Sequence, residues 1–233
     1  MISTAPKTAI IAGASGLVGS HCLDLLLQSN RYKKVISIGR KLLPMEHPKL
    51  EQKLVDFEIL ESYHHSLMAD DIFCCLGTTI KKAGSKENFY KVDFTYVIKL
   101  ASITAANFAS QFLVVSAMGA DANSRIFYNQ VKGKMEAAIK PLHFLGVHLF
   151  QPSLLLGQRT EKRMGEQVAQ AVAKVLPFVF IGPLRPYKPI HARDVAKAML
   201  YAAAQDGAGI SIYPSSRIAT TAKFFSPQSM VDG

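Results

Sequence analysis

Near its amino terminus the chain carries a stretch, Lys7–Gly19, in which a short apolar run rich in Ile and Ala leads into three evenly spaced glycines. An apolar pattern of helical period continues from Leu17 to Leu27. This order predicts a buried strand, a tight turn and the start of a helix. Because a strand joined so closely to a helix favours parallel pairing with later strands, the stretch constrains the fold more than any other feature of the chain.

The three glycines, Gly13, Gly16 and Gly19, each permit something that a side chain would prevent. Gly13 can adopt a sharp turn, Gly16 has no Cβ to block an approaching phosphate, and Gly19 lets the helix pack close to the strand. The N–H groups and the positive end of the helix dipole then face an anion. The predicted diphosphate site includes the rest of this loop, namely Ser15, Leu17 and Val18. The spacing differs from the G-x-G-x-x-G fingerprint, so a glycine-rich turn that binds nothing stays open as an alternative.

Length and composition predict one domain. With 233 residues and 49% hydrophobic content, the chain can bury one sizeable core. We expect this domain over residues 1–223, a small substrate lobe within it at 157–190, and a poorly ordered tail at 224–233. No apolar run reaches the roughly 18 residues that cross a bilayer, and the first strand begins too early for a signal peptide. The expected location is therefore cytoplasmic.

The cysteines and the charge exclude several classes of function. Cys22, Cys74 and Cys75 are an odd number, and neighbours on a strand face opposite ways, so we expect reduced core residues. The sequence has no C-x-x-C motif and no histidine pair at metal-ligand spacing, so no metal site is predicted. The net charge of +10 is scattered, which favours anionic ligands in general. Basic and aromatic residues are not interleaved, so no nucleic-acid partner is predicted.

Strand and helix patterns alternate along the chain. Strands are predicted at 34–40, 49–55, 71–77, 111–116, 144–150 and 209–213, and helices at 16–29, 57–67, 86–108, 124–140, 161–176 and 191–205. Alternation of this kind requires parallel strands joined by right-handed crossovers. The predicted fold is α/β, a Rossmann-like doubly wound parallel sheet with helices on both faces.

Residues at the carboxyl ends of the predicted strands suggest which dinucleotide binds. Arg40 and Lys41 follow the second strand, where an acidic residue takes the ribose hydroxyls of NAD and an arginine accommodates the 2′-phosphate of NADP. This predicts NADP(H) over NAD(H), with an exposed loop arginine as the alternative. Asp56 follows the third strand and could accept from the adenine amino group or cap a helix. Gly77, beside Leu76 and Thr78, would allow close approach of the backbone to the cofactor.

A second constellation, Ser116, Tyr128 and Lys132, carries candidate acid–base chemistry. Tyr128 and Lys132 are four residues apart on one predicted helix, and Ser116 ends the strand before it. A phenol with a pKa of about 10 is a poor acid–base group at neutral pH, and an adjacent ammonium lowers that pKa. Such a tyrosine can exchange a proton with a carbonyl or alcohol oxygen that a serine hydroxyl orients. The same spacing also occurs on many solvated helices.

These motifs together resemble the short-chain dehydrogenase/reductase superfamily in its atypical branch, within the HIV Tat-interacting protein-like group of NAD(P)-binding oxidoreductases. The resemblance spans residues 7–205 and rests on the glycine stretch and on five shorter strings: 73–79, 82–85, 92–93, 128–133 and 189–191. It differs from many superfamily members in two places. Asp93, which the resembling group shares, stands where an asparagine is common, and Gln151-Pro152-Ser153 stands where Arg-Pro-Gly is common in the extended branch.

The resemblance implies a Rossmann fold that binds NADPH, with Ser116, Tyr128 and Lys132 in the catalytic positions. It further implies that Tyr128 and Lys132 touch the nicotinamide ribose and that the segment after Pro152 closes over the nicotinamide. The expected function is NADPH-dependent hydride transfer to or from a carbonyl or alcohol. The alternative is an NADPH-binding regulatory protein with little turnover and a protein partner. Helices of this superfamily often pair across dimers, which makes a homodimer one expected assembly.

Overall fold

The computed structural model describes residues 6–157 and 188–225. Within them a seven-stranded sheet has the order β3-β2-β1-β4-β5-β6-β9, and every neighbouring pair is parallel. Its strands are β1 (Lys7–Ala12), β2 (Tyr32–Gly39), β3 (Leu50–Leu54), β4 (Asp71–Cys74), β5 (Gln111–Val115), β6 (Gly146–Gln151) and β9 (Gly209–Pro214). The chain first winds outward from β1 to β3 and then restarts at β4 on the other side. The crevice between β1 and β4 is the place where open α/β sheets bind ligands.

Helices cover both faces of this sheet. They are α1 (Leu17–Gln28), α2 (Ile80–Ala83), α3 (Lys86–Tyr90), α4 (Tyr96–Ala106), α5 (Phe127–Ile139), α6 (Ala192–Ala204) and α7 (Ser215–Phe224), with a 3₁₀ segment at Phe57–Ser66. One core joins the sheet to α1, α6 and α7, and a second joins it to α4, α5 and the 3₁₀ segment. The predicted Rossmann-like doubly wound sheet is confirmed.

The apolar residues of β4 illustrate why a central parallel strand is hydrophobic throughout. Phe73 packs into the core on the α1 face, and Ile72 and Cys74 pack into the core on the α4 face. Cys75 lies against the α1 face together with Cys22, so the neighbouring cysteines face opposite sides as predicted. All three thiols are free.

The largest difference from the predicted elements lies in the helix expected at 86–108. The structure divides it into α3, a π-helical turn at Lys91–Thr95 and α4. The helix ends at Ala106 because Phe108 takes a left-handed conformation with φ of 60°. The preceding segment contains α2, for which no helix was predicted; Thr79 caps it and Gly84 ends it with φ of 82°. Both are ordinary helix boundary signals.

In the carboxyl-terminal third of the chain, the structure describes only part of what the sequence predicts. The strands β7 (Leu155–Leu156) and β8 (Ile190–His191) form a separate parallel pair, so the chain leaves and re-enters the described region at adjacent places. The predicted helix at 161–176 and nearly all of the lobe predicted at 157–190 lie outside the described residues. The tail predicted from 224 falls outside them from 226 on, and helix α7 was not predicted. Among the described residues no helix has both the length and the apolar character needed to cross a membrane.

Candidate dinucleotide and acid–base site

The turn between β1 and α1 is shaped by close backbone contacts. Gly13 has φ of +85°, and a Cβ there would lie 2.5 Å from the carbonyl oxygen of Cys75. The carbonyl oxygen of Gly13 accepts from the N–H of Gly16 at 2.9 Å. A Cβ on Gly19 would lie only 2.1 Å from that same carbonyl oxygen, whereas one on Gly16 would lie at 3.1 Å. Packing within the turn therefore requires glycine at 13 and 19 much more strongly than at 16.

The amino end of α1 is suited to an anion. Gly16 is the N-cap and offers no side-chain acceptor, and no acidic residue stands in the first turn of α1. Ser15 lies in the turn itself, and the N–H groups of Leu17, Val18 and Gly19 belong to the first helical turn. N–H groups in a first turn have no intrahelical partner, and the helix dipole adds positive potential there. The geometry fits the diphosphate of a dinucleotide.

The residues predicted to bind the adenosine end lie at the ends of β2 and β3. Arg40 and Lys41 directly follow β2, and both are exposed. Asp56 caps the 3₁₀ segment, because its Oδ1 accepts from the N–H of Glu58 at 2.9 Å. The capping alternative for Asp56 is thus observed, and an additional contact to adenine stays a prediction.

A buried ion pair joins α5 to the π-helical turn at Lys91–Thr95, close to the segment that follows β4. The Nζ of Lys132 lies 2.8 Å from Oδ1 of Asp93, and the two side chains are 4% and 1% exposed. The other carboxylate oxygen of Asp93 accepts from the N–H of Thr78 at 2.8 Å. A Cβ on Gly77 would lie 3.5 Å from Asp93 Oδ1 and 3.9 Å from Lys132 Nζ. Gly77, Thr78 and Lys132 therefore lie close together around Asp93, and Leu76 packs against the neighbouring core.

Tyr128 stands one turn before Lys132 on α5 and is partly buried, with its ring 5.6 Å from that of Phe89. Burial raises the pKa of Tyr128, and Asp93 raises it further, whereas Lys132 acts in the opposite direction. The lowered pKa expected from the sequence was therefore wrong for this arrangement, because burial outweighs the ammonium. Tyr128 keeps its proton at neutral pH, which suits a proton donor.

Ser116 is hydrogen-bonded to a different carboxylate. Its hydroxyl donates to Glu136, which lies one turn after Lys132 on α5. The amide of Gln151 donates to both oxygens of Glu136 at 3.0 Å, and all three side chains lie at the carboxyl edge of β5 and β6. The structure places Ser116 beside the site but commits its hydroxyl proton to Glu136. The neighbouring Pro152 is buried, and its carbonyl accepts from the N–H of Met118 at 3.0 Å.

Two residues of the site, Asp93 and Glu136, were not assigned roles from the sequence. Glu136 could have been found, because Tyr128, Lys132 and Glu136 recur at steps of four and so share one face of α5. Asp93 was visible as an acid in an otherwise apolar helical pattern, at a position where the resembling superfamily commonly has an asparagine. Its inward position depends on the π-helical turn, which the sequence pattern did not indicate.

Comparison with known proteins shows the family of the chain. A model of the NAD dependent epimerase/dehydratase family matches residues 9–130. The chain belongs to the NAD dependent epimerase/dehydratase family. Protein HTATIP2 from Rattus norvegicus is 40% identical over 175 residues, which cover 73% of this chain and 72% of the relative. Protein FMP52-1, mitochondrial, from Scheffersomyces stipitis is 33% identical over 205 residues, which cover 84% of this chain and 88% of the relative.

Solved structures share the fold of this family member at low sequence identity. MoeE5 in complex with UDP-glucose and NAD superposes with a TM-score of 0.67 and 15% identity, covering 93% of this chain and 81% of that one. UDP-glucose 4-epimerase from Thermotoga maritima superposes with a TM-score of 0.63 and 16% identity, and the match covers 84% of this chain and 72% of that one. The family membership and the relative HTATIP2 confirm the resemblance drawn from the motifs and support a nucleotide-binding protein of the oxidoreductase kind.

Proposed function

We propose that this protein is an NADPH-dependent oxidoreductase that reduces a carbonyl or oxidises the corresponding alcohol. The observation that carries the proposal is the meeting of Lys132, one turn from Tyr128 on α5, with Gly77 at the carboxyl end of β4. This end of the sheet adjoins the glycine turn, whose Gly13 packs against Cys75 just past β4. The residues present fit a nicotinamide dinucleotide, since the open backbone at Gly77 borders a buried ammonium.

When bound, a nicotinamide dinucleotide supplies or accepts the hydride. The chain supplies the rest: the glycine turn binds the diphosphate, and Lys132 and Tyr128 approach the ribose. Tyr128, with its raised pKa, holds a proton that it can give to a carbonyl oxygen. Ser116 is proposed to orient the same oxygen. Its hydroxyl can accept from an alcohol while bonded to Glu136, but must leave Glu136 to donate to a carbonyl.

Turnover tests the acid–base assignment. NADPH oxidation should be followed with a panel of aldehydes and ketones, for the unmodified protein and for Tyr128→Phe. We expect Tyr128→Phe to lose at least about 100-fold in kcat, the usual size of a general acid contribution, and to keep its affinity for NADPH. Tyr201→Phe on α6 is the matched control, because its ring contacts Phe224 at 6.0 Å, away from the site. Turnover that survives in Tyr128→Phe would refute the mechanism.

Cofactor preference is proposed to follow from Arg40 and Lys41, which stand where a 2′-phosphate is accommodated. Thermal unfolding with NADPH and with NADH should show the larger shift for NADPH. Arg40→Ser should weaken NADPH about tenfold or more and leave NADH nearly unchanged, since only the phosphate loses its charged partner. Lys33→Ser removes an exposed charge from the same strand and should change neither. A larger shift with NADH would overturn the assignment.

The hydroxyl contact of Ser116 favours a second candidate, an NADPH-binding regulatory protein with little turnover. While Ser116 donates to Glu136 and Lys132 pairs with Asp93, two of the three catalytic side chains are committed to other partners. A tight NADPH complex that turns over no member of the panel, together with one reproducible protein partner in pull-downs, would support this candidate over the enzyme.

The cytoplasmic location and the homodimer remain proposals. The FMP52 relatives are named as mitochondrial, so a cytoplasmic location is not confirmed by kinship. Fractionation of cells that express the full chain would decide the location. Sedimentation of the purified protein with and without NADPH would measure its assembly state.

A further inference from the structure

The Lys132–Asp93 pair has a feature that dinucleotide binding alone does not explain. Both oxygens of Asp93 are in use, one on the Lys132 ammonium at 2.8 Å and one on the N–H of Thr78 at 2.8 Å. The carboxylate comes from the π-helical turn at Lys91–Thr95, and such turns frequently occur at functional sites. Asp93 thus links the strand end that faces the proposed cofactor to the helix that carries Tyr128.

Of the described titratable groups that interact with Lys132, Asp93 alone carries a charge opposite to the ammonium at neutral pH. Asp93 lies on the π-helical turn, Tyr128 on the same helix as Lys132, and Cys74 on β4. Tyr128 is protonated at neutral pH, and burial raises the pKa of Cys74 to about 12, so neither carries charge. From β5 the carbonyl of Val115 accepts from Lys132 at 3.4 Å.

One further carboxylate, Glu136, lies a turn beyond Lys132 on α5. It is bonded to Ser116 and Gln151 and not to the ammonium. The ammonium and the carboxylate of the pair therefore cancel each other locally. They border the exposed Gly77, whose Cβ, if it had one, would lie 3.5 Å from Asp93 and 3.9 Å from Lys132.

We propose that Asp93, by neutralising Lys132, sets the relative affinity of this site for the oxidised and the reduced forms of the nicotinamide dinucleotide. The inference rests on the proposed function, since it requires the nicotinamide end to lie near Lys132. The oxidised ring carries one positive charge and the reduced ring carries none. An unpaired ammonium beside it would repel the oxidised form, and the repulsion of like charges is strongest in a site shielded from water. Asp93 removes that repulsion.

The test compares dissociation constants for NADP⁺ and NADPH, measured by calorimetry at pH 6.5. This mildly acidic pH favours the ammonium form of Lys132, since burial by itself lowers the pKa of Lys132, and Asp93, which raises that pKa, is absent from one variant. In Asp93→Asn the ratio of the NADP⁺ constant to the NADPH constant should rise by roughly fivefold or more, the size of a unit-charge effect in a partly wet site. In Lys132→Met, which leaves the carboxylate alone, the ratio should fall. The double variant should return towards the ratio of the unmodified protein. Asp24→Asn removes an exposed carboxylate from α1 and should leave the ratio unchanged.

The outcomes separate this inference from the function on which it rests. If Asp93 is only structural, its replacement changes both constants by the same factor and the inference is wrong. If Asp93→Asn does not fold, Lys132→Met still tests the inference, which expects the ratio of the NADP⁺ constant to the NADPH constant to fall in that variant. An unchanged ratio in Lys132→Met would also contradict the inference. If the unmodified protein binds neither form, the proposed function fails as well. If it binds both and the ratio never moves, only the inference fails.

Discussion

The variant Gly19→Ala tests whether close backbone packing within the glycine turn requires a glycine at position 19. The new Cβ would lie 2.1 Å from the backbone oxygen of Gly13, so the two must separate by about 0.9 Å to reach even 3.0 Å. The obstacle is backbone, which cannot rotate away as a side chain could. Overpacking of this kind costs about 1–3 kcal/mol, and we expect the upper end of that range. Urea unfolding would measure the loss, and NADPH should no longer raise the melting temperature.

Gly16→Ala is the matched control for that experiment. Its Cβ would lie 3.1 Å from the same oxygen, and its φ of −81° and ψ of 170° suit alanine. We expect stability to fall by less than about 1 kcal/mol, the cost of a poorer N-cap, while NADPH affinity falls because the methyl group faces the proposed phosphate. If Gly19→Ala is as stable as the unmodified protein, the packing argument is wrong. If Gly16→Ala binds NADPH normally, the phosphate does not approach at that position.

Three further perturbations test the ends of the sheet. Burial lowers the pKa of His148 to about 4, whereas a histidine in the unfolded chain has a pKa of about 6.5. The free energy of unfolding should therefore be highest above pH ~6.5 and fall by about 3 kcal/mol as the pH drops towards 4, because the unfolded chain takes up the proton first. Urea unfolding at pH 7.5 and pH 4 should show this loss, which His148→Gln abolishes and the exposed His143→Gln does not. Asp206→Asn should lower stability by about 1 kcal/mol, measured likewise, because Lys7 and Arg31 lose the carboxylate that lies 2.5 Å and 2.6 Å from them, although Asp71 stays near both. Gly77→Ala should keep its melting temperature, since its Cβ would meet only ordinary contacts, yet bind NADPH about tenfold more weakly in calorimetry; unchanged binding would place the cofactor elsewhere.

The sequence could predict the parts of this protein that depend on local pattern. The strand, glycine turn and helix at the amino terminus follow from apolar period and glycine spacing, and the α/β alternation follows from the same rule along the chain. Tyr128 and Lys132 could be paired because a step of four residues fixes a shared helix face. Each of these inferences needs only neighbours in sequence.

What the sequence missed depends on contacts between distant segments. The direction of the Tyr128 pKa shift required its burial and the position of Asp93, 35 residues earlier, as well as the visible Lys132. The commitment of Ser116 to Glu136 required the packing of α5 on the end of β5. The π-helical turn at Lys91–Thr95 adds one residue to a turn, a change too small to disturb an apolar period.

Buried charged side chains occur at both the amino and the carboxyl edges of the sheet, and they have different roles at the two edges. At the amino edge the buried Asp71 of β4 accepts from Tyr32 at 2.8 Å and from Gln111 at 3.0 Å, and Lys7 lies 3.5 Å away. Groups from β1, β2 and β5 thus surround one carboxylate of β4, and the arrangement lies at the edge of the sheet opposite the proposed crevice. At the carboxyl edge the carboxylate of Asp93 instead has one ammonium and one backbone N–H, beside open backbone at Gly77. Because the Asp93 carboxylate is paired with the single Lys132 ammonium, a charged ring arriving beside this pair changes the electrostatic balance of the carboxyl edge. Substitutions in the amino-edge network should therefore lower stability without altering the relative affinity for NADP⁺ and NADPH, and a change in that ratio after Gln111→Leu would contradict this division of roles.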